Sequence, residues 1–400
     1  MKRTALIFIH LLTLLPLSYA FGGDRLIQNI DGTTIWTTKI ESIINRLMDV
    51  AHVTGLGLAI INNDTIVYER AYGFRNTRTK EPLDTSDILY GASLSKAVFA
   101  YLCMHLVEKG ILDLDTPLYR YLPKPVPDYP KYSDLARDDR WKLITARMCL
   151  SHTTGFPNWR FLDAHTGYYV PNGRLAIYFT PGTRYGYSGE GMMLLQLVVE
   201  TITGKGLEEL AKEYVFQPSG MWRSSYIWQP RFENNYALGY DEQEKPLTKH
   251  KRSEAGAAGS LETTIADYAR FVQFVMRHSD LKQETFDEMI TPQILINSQH
   301  QFPTITDDTT SENQSIALSY GLGWGLITTP YGKAFFKEGH DDGWEHYNIN
   351  FIDKDISIVI MTNSSNGESI FKKVLEEIIG DRFTPWKWER YIPYNYSNRE

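Results

Sequence analysis

Apolar positions follow two rhythms along this chain, and their order outlines a fold. Ile40, Ile43, Ile44, Leu47 and Met48 recur at the interval of an amphipathic helix. Two β-rich runs come next, residues 56–61 and 65–73, separated by Asn62-Asn63-Asp64, a sequence suited to a tight hairpin. From residue 93 to about 290 the pattern is mostly helical. It includes a long apolar stretch over 192–202 and Thr264-Ile265-Ala266-Asp267, which reads as a capping box before a helix through Met276. β character returns over 334–337, 344–352 and 356–362, and an amphipathic helix over about 367–379 closes the pattern.

Two strands before the helical block and three after it, with a helix at each end, predict an α+β fold. The expected core is a five-stranded antiparallel sheet flanked by the N- and C-terminal helices, with a large, mainly helical subdomain inserted. A cleft is expected where the two parts meet. The sheet subdomain spans about 36–90 and 320–380, and the helical one about 91–290. Residues 293–319 are polar and aperiodic, which predicts a flexible loop, either a functional flap or disordered. No internal repeat is present, and residues 21–400 read as one catalytic domain.

Composition narrows the function classes. At 400 residues, 42% hydrophobic and 13% aromatic, the chain can bury a large core. Lys2 and Arg3 precede an apolar run over 5–17, and Ser18-Tyr19-Ala20 offers small residues near its end. This predicts a signal peptide over 1–20, cleaved at about Ala20/Phe21, a secreted or periplasmic product, and no stable membrane anchor afterwards. Losing Lys2 and Arg3 takes the formal charge from −7 to −9. An acidic chain without basic clusters is a poor partner for nucleic acid. Cys103 and Cys149 are too few for a disulfide scaffold; two buried thiols or one disulfide both fit the sequence.

The candidate chemistry starts at Ser93 and Lys96, three residues apart at the head of an apolar helix. That spacing puts both side chains on one helical face, and a desolvated lysine turns into a neutral amine able to take the serine proton. The same spacing occurs in Ser279-Asp280-Leu281-Lys282, in a polar helix end, and in Ser369-Ile370-Phe371-Lys372, where the serine can cap and the lysine can face water. Only Ser93 has the apolar context. Tyr187, in Pro181-Gly182-Thr183-Arg184-Tyr185-Gly186-Tyr187-Ser188-Gly189, can present a hydroxyl to a cleft. Lys337-Glu338-Gly339-His340 ends a β run; Lys337 supplies charge for a substrate carboxylate and Gly339 permits close approach by a ligand. His152, at a helix end, reads as structural. Gly186-Tyr187-Ser188-Gly189-Glu190 misses the Gly-x-Ser-x-Gly elbow at its last position. His340, Asp341, Asp342 and His346 offer metal-binding side chains but no zinc signature.

Taken in order, these segments resemble the serine β-lactamase and penicillin-binding protein superfamily, particularly class C β-lactamases and related esterases and D-amino-acid peptidases. Ser93-Leu94-Ser95-Lys96 matches its first motif, and Tyr187-Ser188-Gly189 falls where the family has Tyr-x-Asn. Lys337-Glu338-Gly339 falls where the lactamases have Lys-Thr-Gly. The segments 108–115, 151–155 and 257–261 match further family stretches. The resemblance implies a serine hydrolase in which Ser93 forms an acyl-enzyme, Lys96 and Tyr187 share proton transfer, and the backbone N–H groups of Ser93 and His340 hold the oxyanion. Lys337, Gly339 and Gly189 would contact a small-molecule ester, peptide or β-lactam-like substrate, with no metal or other cofactor required. Two departures stand out: Gly189 replaces an asparagine that binds substrate amides, and Glu338 replaces a threonine or serine beside a carboxylate site. The alternative is a catalytically weak or inactive binding or sensor protein on the same fold; acylation of Ser93 discriminates the two.

Overall fold

The structure is a computed structural model and describes residues 23–278 and 280–395. The leader expected over 1–20 and the serine of the Ser279 motif lie outside the described residues. No helix among the described residues is long and apolar enough to cross a membrane.

A mixed nine-stranded assembly of long and very short strands replaces the expected five. In chain order the strands are β1 (Gly55–Asn62), β2 (Thr65–Asn76), β3 (Glu81–Pro82), β4 (Ile294–Leu295), β5 (Ser319–Tyr320), β6 (Gly325–Thr329), β7 (Gly332–Asp341), β8 (Trp344–Phe351) and β9 (Ile356–Thr362). They run β3-β2-β1-β9-β8-β7-β6-β5-β4 across the sheet, with every neighbour antiparallel. The five expected strands are its long central members. β3, β4 and β5 are two residues each, too short for a period-two pattern to register. The β1–β2 hairpin turns at Asn63 and Asp64, both with positive φ (48° and 59°), the backbone that a tight turn between twisted strands requires.

Register decides which face each residue serves. Ile358 pairs with Ile60 and Ile360 with Leu58, while Val359 pairs with Ala59. The first set faces α1 (Thr37–Ala51) and α5 (Phe371–Ile378), in a core with Ile40, Ile44, Val374 and Ile378. The second set faces the inserted block, in a core with α2 (Leu94–Glu108) and α4 (Ile265–Met276). Both faces are covered, which is why the two middle strands, β1 and β9, are nearly continuous apolar runs. Thr264 caps α4 by accepting the Asp267 N–H at 3.0 Å, as its sequence predicts.

The inserted block is less helical than expected. Between α2 and α3 (Gly189–Thr203), short 3-10 turns and loops dominate, with one five-residue helix, Ala146–Leu150. Prolines at 123, 125, 127 and 130 break helical continuity there. The segment 293–319 supplies edge strand β4, and its Gln301 is buried and donates to Glu338 on β7. Cys103 and Cys149 are both free and buried.

Candidate active site

Every residue of α2 from Leu94 to Leu106 is buried, between β7 on one side and the helical block on the other. Ser93, at the helix N-cap, is the partly exposed residue where this element meets the cleft. The chain reaches it through Ala92 at φ +45°, a conformation costly for alanine and held by its surroundings. Gly91 N–H donates to the Leu261 carbonyl at 2.7 Å, the Ser95 hydroxyl donates to the Ala92 carbonyl at 2.5 Å, and Leu261 N–H donates to Ser95 Oγ at 3.0 Å. Ser95, the middle residue of the motif, therefore fixes the bend that exposes its neighbour.

Lys96 is completely buried. Its Nζ lies 2.8 Å from Ser93 Oγ and donates to the Ala258 carbonyl at 2.6 Å. Burial and then the nearby Lys337 charge hold this amine well below the ordinary lysine range, with Glu338 opposing them. Lys96 Nζ also sits 4.9 Å from the centre of the Tyr187 ring. Tyr187 is buried, its hydroxyl accepts from Lys337 Nζ at 3.0 Å, and it hydrogen-bonds with Ser93. Burial and the Glu338 charge keep the phenol protonated, well above its usual range. The structure thus links Lys96 to Ser93, Ser93 to Tyr187 and Tyr187 to Lys337 in one series of hydrogen bonds.

His152 lies beneath this group, with its ring 4.2 Å from that of Tyr187 between centres. Its Nδ1 accepts the Ser188 N–H at 3.1 Å, and burial, Lys96 and Lys337 hold it neutral. It acts as a platform for Tyr187. Ser188 is buried, donates to the Pro157 carbonyl and accepts Gly191 N–H at 2.9 Å, so it caps α3. Ser369 donates to the Asn366 carbonyl, and Lys372 beside it is half exposed.

Ser93, Tyr187, Glu338 and His340 open onto a cavity of about 450 Å³, walled also by Trp159 and Phe302. The three residues expected to contact substrate do not line it. Lys337 is fully buried and spends its ammonium on Tyr187 and on the carbonyl and carboxylate of Glu338, each at 3.0 Å. Gly339 makes room for protein: a Cβ there would stand 2.9 Å from the Gly91 carbonyl oxygen and 3.1 Å from Leu94 Cγ. Its smallness lets β7 pack on the bend that carries Ser93. Gly189 N–H donates to Asn158 Oδ1 at 3.1 Å, and a Cβ would stand 3.0 Å from that oxygen and 2.7 Å from the Asn158 carbonyl.

Asn158 was not legible as a site residue, yet its amide lines the cavity in the space that a side chain at 189 would fill. The loop bearing it is clamped by Arg160, whose guanidinium takes both oxygens of buried Glu190 at 2.9 and 2.8 Å. Glu190, directly after Gly189, was the available signal: a lone acid at the start of an apolar helix needs a partner.

The metal set suggested by His340, Asp341, Asp342 and His346 does not assemble. His346 is buried on the Tyr90 carbonyl at 2.8 Å. His340 Nδ1 instead pairs with Glu345 at 2.8 Å and lies 3.8 Å from Glu368. Burial opposes its charge, but these carboxylates raise its pKa, and the resulting imidazolium satisfies them.

This chain belongs to the beta-lactamase family, whose model matches residues 40–378. It is 24% identical over 368 residues to penicillin-binding protein 4* of Bacillus subtilis (strain 168), covering 84% of this chain and 74% of that protein. It is 24% identical over 347 residues to a D-aminopeptidase of Brucella anthropi, covering 83% of this chain and 60% of that one. Among solved structures, the octameric penicillin-binding protein homologue from Pyrococcus abyssi superposes with a TM-score of 0.69 at 22% identity, over 89% of this chain and 79% of its own. That likeness fixes the fold.

Proposed function

We propose that this protein is a serine hydrolase that cleaves small esters or amides through an acyl-enzyme on Ser93. The observation that carries the reading is the 2.8 Å approach of a fully buried Lys96 amine to the hydroxyl of the one partly exposed residue in the motif. A neutral amine with one hydrogen committed to the Ala258 carbonyl turns its lone pair to Ser93.

In acylation, Ser93 Oγ bonds to the substrate carbonyl carbon as its proton passes to Lys96 Nζ. The Ser93 and His340 N–H groups hold the carbonyl oxygen as it becomes an oxyanion; Ser93 stands at the positive N-terminus of α2. Donors so placed contribute about 2.7–4 kcal/mol each in comparable sites. The carbon–heteroatom bond then breaks, and the leaving alkoxide or amine takes a proton from Tyr187, which Lys96 replenishes. Lys337 donates to the Tyr187 oxygen and stabilises it during the transfer. Water next attacks the acyl carbon, its proton passing through the same pair, and the acid departs with the Ser93 hydroxyl restored. Labelling of the wild-type protein by an active-site serine phosphonate, located on Ser93 by mass spectrometry, tests this; a protein that no phosphonate or ester acylates would falsify it.

A further inference from the structure

The register of the β7–β8 hairpin decides where the His340 N–H points. Asp341 pairs with Trp344 across the two-residue turn Asp342-Gly343, which makes them a hydrogen-bonded pair. Alternation then makes His340 and Glu345 a non-hydrogen-bonded pair, so the His340 N–H turns away from β8. On that other edge, β6 pairs with β7 only as far as Phe336, opposite Gly325. Past Phe336 neither neighbouring strand takes this N–H, and His340 lines the Ser93 cavity. A backbone donor near a hairpin tip needs something else to hold it in one orientation.

The side chain supplies that hold. Side chains of a non-hydrogen-bonded pair stand closest together, and His340 Nδ1 meets Glu345 Oε2 at 2.8 Å. The Glu345 side chain is only 3% exposed, and its backbone carbonyl accepts from the Thr362 hydroxyl at 2.9 Å. Glu368, in a 3-10 turn over Gly367–Ile370 that leads into α5, brings Oε2 to 3.8 Å from the same nitrogen. Burial opposes a charge on His340, but Glu345 and then Glu368 raise its pKa to about 11; burial lifts Glu345 well above the carboxylate range, with His340 opposing. Both directions retain protons at neutral pH, so the 2.8 Å contact always has one to donate. An exposed cross-strand ion pair is worth little, whereas breaking this one strands a buried carboxyl group. On either side of His340 the chain is already fixed: Gly339 packs on the bend that carries Ser93, and Gly343 N–H donates to Ser365 Oγ at 2.7 Å.

We propose that the His340 side chain, latched to Glu345 and Glu368, is a positioning group that fixes its own backbone N–H as the oxyanion donor. This rests on the hydrolase reading and adds to it a side-chain device outside the reacting atoms. It also gives Glu345 a role: buried too deeply to meet a substrate, it orients the residue that does.

The test uses His340→Ala, which removes the latch and keeps the N–H, and two conservative variants that keep a hydrogen bond, His340→Asn and Glu345→Gln. Each is measured for kcat and KM on a short ester and for affinity toward phenylboronic acid. The boron of that probe bonds to Ser93 Oγ as the serine proton passes to Lys96, and the resulting tetrahedral borate puts an oxygen where the oxyanion forms. In His340→Ala, kcat is expected to fall about 10–100-fold, short of or equal to the loss of a whole oxyanion donor, with KM within about threefold. Boronate affinity falls by a similar factor, and His340→Asn and Glu345→Gln restore most of both. Melting temperatures and circular dichroism report whether each variant folds. A lowered melting temperature in His340→Ala with kcat and boronate affinity unchanged overturns the latch, as does a loss in His340→Asn and Glu345→Gln equal to that in His340→Ala. Either result, with wild-type Ser93 labelled by phosphonate, leaves the hydrolase reading standing. A wild type that neither phosphonate nor boronate modifies at Ser93 overturns that reading and the latch with it.

Discussion

Replacing Lys96 by arginine keeps a positive side chain and removes the capacity to become neutral, so it separates two roles of the residue. The wild-type amine is fully buried, 2.8 Å from Ser93 Oγ, and held below the ordinary lysine range by burial and by Lys337. Arginine cannot give up its proton at any working pH. Loss of general-base assistance costs about 10²–10⁴ in rate, or about 3–5.5 kcal/mol of barrier at 1.36 kcal/mol per tenfold. The guanidinium must also fit beside Lys337 with no free carboxylate, so thermal stability falls too. Lys96→Met carries neither a base nor a charge, and it loses the bonds to the Ser93 hydroxyl and to the Ala258 carbonyl, the latter left unsatisfied at a cost of about 1–3 kcal/mol. The assay is the second-order rate of phosphonate labelling and of short-ester hydrolysis from about pH 5 to 10, with melting temperatures for each variant. In the wild type, kcat/KM rises with pH as the ammonium loses its proton, through an apparent pKa well below the 10.5 of a free lysine; that pKa belongs to the coupled Lys96–Tyr187 pair. Both variants should be nearly inactive, with Lys96→Arg the less stable. Labelling of Lys96→Arg within about tenfold of wild type would refute the reasoning, because Lys96 would then act as a fixed charge and Tyr187 as the base.

Ser93→Ala abolishes phosphonate labelling while Ser369→Ala leaves it intact, read by intact mass; labelling of Ser93→Ala assigns the nucleophile elsewhere. Short esters are turned over with higher kcat/KM than penicillins or cephalosporins, since alkoxides leave with less protonation help than amines and Lys337 is already committed to Glu338. A cephalosporin better than every ester contradicts this. Gly189→Asn places a Cβ 2.7 Å from the Asn158 carbonyl and lowers stability by about 1–3 kcal/mol in denaturant titration; an unchanged midpoint shows that the 157–160 loop yields freely. Arg160→Met strands buried Glu190 and costs about 3 kcal/mol, and Arg160→Met/Glu190→Met recovers much of it; an equal loss in the double variant removes the ion pair as the cause.

Long elements and the Ser93–Lys96 pair were readable in the sequence because each rests on local information. Strands β1 and β9 are apolar on both faces, the Asn63-Asp64 turn demands positive φ, and the Ser93–Lys96 contact is one helical turn. What could not be read depends on pairs distant along the chain. The two-residue strands β4 and β5 exist because each finds the other across 23 intervening residues. Gln301, inside a segment that reads as loop, is ordered by Glu338, 37 positions away. Asn158 meets Gly189 only because Arg160 and Glu190 draw their segments together.

The same distinction bears on the three residues expected to contact substrate. Lys337, Gly339 and Gly189 sit at the positions that family resemblance marks, but each is answered here by a protein partner: Glu338, the Gly91 carbonyl and Asn158. Those partners lie on the other side of the interaction and change what the cavity sees. The Lys337 charge is internally paired, and Glu389 reaches the same cavity wall from the C-terminal segment, beside the hydrogen-bonded Ser93–Lys96 pair. Proton transfer needs atoms within about 3 Å, so it tolerates little change in that trio, whereas charge recognition is set by whichever carboxylates the surrounding chain delivers. Under the proposed hydrolase reading, the choice of acyl donor is set by the residues that wall the cavity and not by the motif that carries the nucleophile.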